Sequence, residues 1–127
     1  MAKFKILMVD DDPVVLEVVR DALEEIGCEV HTYTNAVGTN AQLFKVKPDL
    51  LILDINMPGL LKGNRICQII RDQGYFKTLK IMFYSSTPSP ELGALAKEHG
   101  ADDFLTKSDD LQELKNKVRT FIHIISP

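Results

Sequence analysis

The chain has 127 residues, 45% of them hydrophobic and 26% charged, with a net charge of −3. That length sustains one domain with a core of its own, and the composition is that of a folded rather than a disordered chain. The acidic balance supplies no basic footprint for nucleic acid or an anionic membrane, and no apolar run approaches the ~18–20 residues of a membrane span. The opening MAKFKILMVDDD runs into three acids where a signal peptide would stay apolar, so the expected compartment is the cytoplasm. Cys28 and Cys67 are too few and too far apart for a disulfide framework or a CxxC metal site, and read as small buried hydrophobes.

The first apolar run, 4–9, is bounded by charge and reads as a strand. Asp12-Pro13 reads as the N-cap and first residue of a helix. Val15, Val18, Val19, Ala22, Leu23 and Ile26 follow the helical spacing, and Gly27 closes the turn. Residues 30–33 are β-branched and aromatic enough for a second strand. From 34 to 46 the sequence disfavours helix at Val37, Gly38, Thr39 and Asn40, so the helix needed there is expected to be short or late-starting. Pro48-Asp49 then introduces the strand Leu50–Leu53, and Ile66, Ile69 and Ile70 mark a helix ending near Gly74. A strand over 81–84 precedes a helix over 90–99 stopped at Gly100, and Asp103–Thr106 is the fifth strand. Leu111, Leu114, Val118, Phe121, Ile122 and Ile125 stripe the last helix, with Asp109 and Gln112 placed like a capping box and Ile124 off the stripe.

Five strands alternating with five helices predict a doubly wound α/β domain over 1–127, with a parallel sheet covered on both faces. Crossovers are right-handed in such folds, and sites form at the carboxyl ends of the strands. Those ends carry Asp10, Asp11 and Asp12 after the first strand and Asp54 after the third. Ser85, Ser86 and Thr87 follow the fourth, and Thr106-Lys107 the fifth. Singly, each has a bland reading: Asp12 as a helix cap, Asp54 as a turn residue, Ser85 likewise, Lys107 as a surface charge. Together they fit one chemistry. Adjacent carboxylates repel unless a cation is present, and Mg²⁺ is commonly bound through one or two carboxylates plus phosphate oxygens. Asp54, emerging from LLILD, is suited to accept a phosphoryl group, with charge neutralised by Mg²⁺ and Lys107 and a hydrogen bond from Ser85. His31, His99 and His123 are scattered, form no cluster, and read as surface residues.

The motifs ILMVDDDP, PDLLILDINMPG, IMFYSS and GADDFLTK, in that order across nearly the whole chain, resemble the receiver domain of two-component response regulators. The resemblance implies a five-stranded, flavodoxin-like sheet of order 2-1-3-4-5. It implies that Asp54 is the phosphoacceptor, served by a histidine kinase or phosphotransfer protein. Asp11, Asp54 and the backbone carbonyl of Asn56 would ligate Mg²⁺, with Asp10 helping through water. Ser85 would be the switch hydroxyl, Lys107 the cationic partner and Phe104 the switch aromatic. No output domain is expected on the chain. A separate output protein would then read the surface around the fourth helix, fifth strand and fifth helix, or a homodimer would form there, with no direct contact to nucleic acid or membrane.

Four features depart from the family pattern. Ser108 stands where proline usually follows the lysine, often after a cis bond, so Lys107-Ser108 is either trans with a shifted loop or strained. The loop from Met57 to Gly63 is one residue longer than usual and lacks its acid, placing Leu60 and Leu61 as buried or as a contact site. The second helix is weak, and Phe104 has no phenolic hydroxyl. Two other readings compete. One is a phosphorylation-independent binding module on the same fold. The other is a small Mg²⁺-dependent phosphatase with Asp10 as nucleophile, using Asp12, Ser85, Lys107 and Asp109-Asp110. A flavin protein fits less well, because the loop after the first strand is acidic rather than a phosphate cradle.

Overall fold

The computed structural model describes residues 3–57, 63–108 and 110–125. These form β1 (Lys5–Val9), α1 (Pro13–Glu25), β2 (Glu29–Tyr33), α2 (Thr39–Val46), β3 (Leu50–Leu53), α3 (Gly63–Gln73), β4 (Lys80–Ser85), α4 (Ser89–His99), β5 (Asp103–Thr106) and α5 (Gln112–Ile125). The strands make one parallel sheet in the order β2-β1-β3-β4-β5. The lengthened loop at 58–62 with Leu60 and Leu61, Asp109, and the terminal Ser126-Pro127 lie outside the described residues.

The pleat divides the apolar runs between two cores. Ile6, Met8, Leu50, Ile52, Met82 and Tyr84 face the side packed by Leu16, Val19 and Leu23 of α1 and Leu114, Val118 and Phe121 of α5. Leu7, Val9, Leu51, Leu53, Ile81 and Phe83 face Leu43 of α2, Ile66, Cys67 and Ile70 of α3, and Leu92 and Ala96 of α4. Burial on both faces is why the strands read as continuous rather than alternating apolar runs.

Local signals act as expected at most boundaries. The Asp12 carboxylate accepts the Val14 N–H at 2.9 Å, and Pro13 opens α1. Gly27 (φ 96°), Gly74 (φ 72°) and Gly100 (φ 84°) follow α1, α3 and α4 in left-handed conformations that L side chains resist. Helix α2 is only 8 residues long and has no side-chain N-cap bond. Two details correct the sequence reading. Val18 is exposed while Leu16 is buried, because Leu16, Val19 and Leu23 define the stripe and Val18 falls beside it. Cys67 rather than Ile69 completes the buried face of α3. At the start of α5 the Gln112 N–H donates to Asp110 at 2.9 Å, and the expected capping partner Asp109 lies outside the described residues.

Candidate functional site

Asp11 and Asn56 lie in the loops and Phe104 within β5, while Asp10, Asp54 and Lys107 each sit one step past a parallel strand and Ser85 ends one. The ladder continues through them: Asp10 N–H donates to Tyr33 O at 3.1 Å, Asp54 N–H to Val9 O at 3.0 Å, and Lys107 N–H to Ser85 O at 2.8 Å. In-register pairing therefore fixes the height of all four side chains at one edge of the sheet, and Asp10, Asp54 and Ser85 are buried there.

Lys107 is the centre of the charge arrangement. Its Nζ lies 2.7 Å from Asp10 Oδ2 and 3.3 Å from Asp54 Oδ2. The replacement of proline by Ser108 does not prevent this reach, and Lys107-Ser108 is trans, since no cis peptide occurs among the described residues. Burial works against the lysine charge, but the hydrogen bond and charge of Asp10, with Asp54 behind it, outweigh that and hold its pKa above the usual lysine range. Burial pushes the Asp10 carboxyl up, more than Lys107 and the Asp12 N–H pull it down, and Asp54 adds repulsion.

The carboxylates fit a divalent cation. One oxygen from each of Asp10, Asp11 and Asp54 lies within 4.8 Å of the others. Asp10 Oδ1 accepts the Asp12 N–H at 2.9 Å, and the buried Oδ2 is paired with the Lys107 ammonium at 2.7 Å. Three clustered carboxylates facing one lysine leave an excess of negative charge that hard oxygen-seeking cations relieve. Asp12 stands apart from this cluster, engaged in capping α1.

Neutral groups close the other side. Asn56 N–H donates to Asp54 Oδ1 at 2.9 Å, and its side-chain amide donates to Ser85 Oγ and Thr87 Oγ1, both at 2.8 Å. Ser85 and Thr87 hydroxyls are 3.1 Å apart, Thr106 Oγ1 donates to Thr87 O at 2.9 Å, and Thr106 meets Ser89 Oγ at 2.9 Å. A hydroxyl chain thus runs from beside Asp54 to the first residue of α4. Phe104 is half-buried on the α4 side of β5, against Gly93 and with Lys117, the ion-pair partner of Asp103, 5.7 Å above its ring.

Two contributors were not visible as such in the sequence. The Asn56 side chain, rather than its carbonyl alone, holds Ser85. Gly63 begins α3 so close to β3 that a Cβ there would stand 2.1 Å from Asp54 O, so glycine is what lets the helix approach the site. His31 and His99 are half-buried rather than free at the surface: His31 pairs with Glu29 at 2.7 Å, and His99 lies between Asn64 and Gln68 across the α3–α4 seam.

Comparisons with known proteins identify the family and bear out the fold. The family model for the response regulator receiver domain matches residues 6–119. The chain belongs to the receiver-domain family. The DNA-binding dual master transcriptional regulator RpaA of Synechocystis is 28% identical over 93% of the chain. The chain spans about half the length of that relative, 48%. Among solved structures, the Vibrio cholerae chemotaxis protein CheY4 superposes with a TM-score of 0.85 at 28% identity, covering 94% of this chain and 99% of that one. The Thermotoga maritima response regulator TrrA, solved in complex with Mg²⁺-BeF, gives a TM-score of 0.81 at 34% identity, covering 92% and 97%. Receiver domains are signalling modules of two-component systems, built on an α/β architecture that also hosts unrelated functions.

Proposed function

We propose that this receiver takes a phosphoryl group on Asp54 from a histidine kinase or phosphotransfer protein and uses it to switch a protein-binding surface. The observation that carries the proposal is the meeting of Asp54 with Lys107 at 3.3 Å beside the Asp10–Asp11 carboxylates. A carboxylate oxygen of Asp54 attacks phosphorus while the P–N bond of a phosphohistidine donor breaks. The electron pair returns to the departing imidazole. Phosphoryl transfer demands chiefly positioning and charge neutralisation, and Lys107 supplies a fixed cation for the oxygens gathering there. Asp11, Asp54 and the Asn56 carbonyl would hold Mg²⁺, with Asp10 acting through water. When bound, the ion would neutralise the phosphoryl oxygens and the clustered carboxylates. The chain itself remains a phosphoryl acceptor, with no separate substrate turned over.

Ser85 is placed to leave Asn56 and turn its hydroxyl toward the new phosphoryl oxygens. That exchange would disturb the Thr87–Thr106–Ser89 chain and so bias α4, β5 and the half-buried Phe104. A separate output protein, or a second copy of the chain, would read the α4–β5–α5 face. A cytoplasmic setting suits such partners, and no helix among the described residues is long and apolar enough to cross a membrane. The test is titration with Mg²⁺ and beryllofluoride, a phosphoryl mimic, followed by amide NMR. Wild type should show shifts at Asp54, over 85–89 and at Lys107, all absent from Asp54→Ala. Shifts that persist in Asp54→Ala would overturn the assignment.

A further inference from the structure

At the opposite, amino-terminal end of the sheet lies a groove of about 770 Å³ that the phosphoryl chemistry does not use. Pro48 and Asp49 precede β3 and Leu79 precedes β4, so this groove is a strand's length from Asp54, on the order of 15 Å. Three of the six exposed large hydrophobic side chains of the described residues line it: Phe44 (50% exposed), Tyr75 (71%) and Ile124 (61%). Isolated exposed hydrophobes are ordinary, but their convergence on one concavity marks an interaction surface. The wall is already organised, with the Phe44 ring edge-on to Tyr75 at 5.8 Å and tilted against Phe76 at 4.8 Å.

Charge selects the occupant. Lys47, Lys77 and Lys80 rim the groove, and among the described residues neither Lys47 nor Lys77 lies within 4.0 Å of a carboxylate. The sole acid of the lining, Asp49, is half-buried and accepts the Lys5 N–H at 2.8 Å. We infer that this groove docks an acidic peptide segment of a partner protein, seating an apolar side chain against Phe44, Tyr75 and Ile124 with carboxylates on the lysine rim. A second copy packed face to face would set these lysines against their own kind. A nucleic acid would bring a continuous run of phosphates over the Asp49 carboxylate, on a chain of net charge −3. A flat lipid surface does not enter a concavity. A peptide meets each condition, since it interleaves apolar anchors with separated charges and brings N–H donors for Asp49.

The inference does not depend on phosphorylation, and its test keeps the two apart. Random dodecapeptides displayed on phage would be selected on the full chain and counter-selected on a Phe44→Ser/Lys47→Glu/Lys77→Glu variant. All three positions are exposed, and circular dichroism checks that the variant is folded. The expected result is enrichment of peptides with several acids around Leu, Phe or Trp. They should bind wild type and Asp54→Asn equally, and the groove variant about tenfold more weakly, as loss of an interface anchor gives. No enrichment, enrichment without an acidic bias, or equal binding to the groove variant would overturn it. So would tighter binding of oligothymidylate or phosphatidylglycerol vesicles, or self-association that the variant abolishes.

Discussion

Lys107 Nζ stands 2.7 Å from Asp10 Oδ2, closer than the 3.3 Å at which it stands from Asp54 Oδ2. In the resting receiver the lysine therefore holds the most buried acid of the site first. Even so, burial leaves the Asp10 carboxyl above its ordinary range, which means that its ionised form is less at ease in the fold than in the unfolded chain. Asp10→Asn keeps an acceptor for the Asp12 N–H while removing the charge. In chelator at pH 7 the variant should melt higher than wild type, and it should gain less from added Mg²⁺. A lower melting temperature in chelator would show that the Lys107 pairing outweighs the burial cost.

Gly63 makes a second prediction. The backbone of α3 and the Asp54 carbonyl leave no room for a methyl group, so Gly63→Ala must push the helix start away from β3. Overpacking of this kind costs roughly 1–3 kcal/mol, read by urea unfolding. The same displacement should slow phosphoryl acceptance at Asp54. Wild-type stability and wild-type acceptance together would refute the account of the close approach.

Asn56 supplies a third. Its amide holds Ser85 Oγ in the resting state at 2.8 Å, and a neutral hydrogen bond of this sort is worth about 0.5–1.5 kcal/mol net. Asn56→Ala releases the hydroxyl from the amide, leaving its contact with Thr87, without touching the backbone carbonyl. Beryllofluoride with Mg²⁺ should then bind roughly 2- to 10-fold more tightly, measured by NMR or calorimetry. Weaker binding would mean that the amide acts on the phosphoryl group itself.

Thiol reactivity gives a fourth, with a definite pH dependence. Cys67 is fully buried, donates to His99 O at 3.3 Å, and is pushed up by burial to about 11 from 9.0. Because the thiolate is the nucleophile, its fraction at pH 8 should be roughly 100-fold below that of a free thiol of the ordinary value. Iodoacetamide should leave Cys67 unmodified at pH 8 in the folded protein, with labelling rising only toward pH 11 and becoming rapid in urea. Ready labelling at pH 8 in the native state would contradict the burial.

Much of this was legible in the sequence because the informative signals are local or sit at strand ends. The Asp12-Pro13 cap, the closing Gly27 and the apolar run Leu50–Leu53 act through their own backbone, and each has the predicted role. Asp10, Asp54, Ser85 and Lys107 needed only the rule that parallel strands bring their carboxyl ends together. What stayed hidden depends on contacts made across the chain. Gly63 is essential because of the Asp54 carbonyl, Phe104 packs on Gly93, and Asn56 reaches two hydroxyls some thirty residues away. Leu16 and Val18 exchange their expected burial because the sheet face, not periodicity alone, decides where the stripe of α1 is centred. The aromatic groove of Phe44 and Tyr75 joins α2, the α3–β4 loop and the end of α5, three segments with no sequence pattern in common.

The central claim is that Asp54 is the phosphoacceptor, and intact-mass and peptide mapping after reaction with a small phosphodonor and Mg²⁺ tests it most directly. The account predicts one acid-stable, base-labile phosphoryl adduct, mapped to Asp54 and absent from Asp54→Asn. An adduct on Asp10, as the phosphatase reading requires, or no adduct on the wild-type chain, would contradict it.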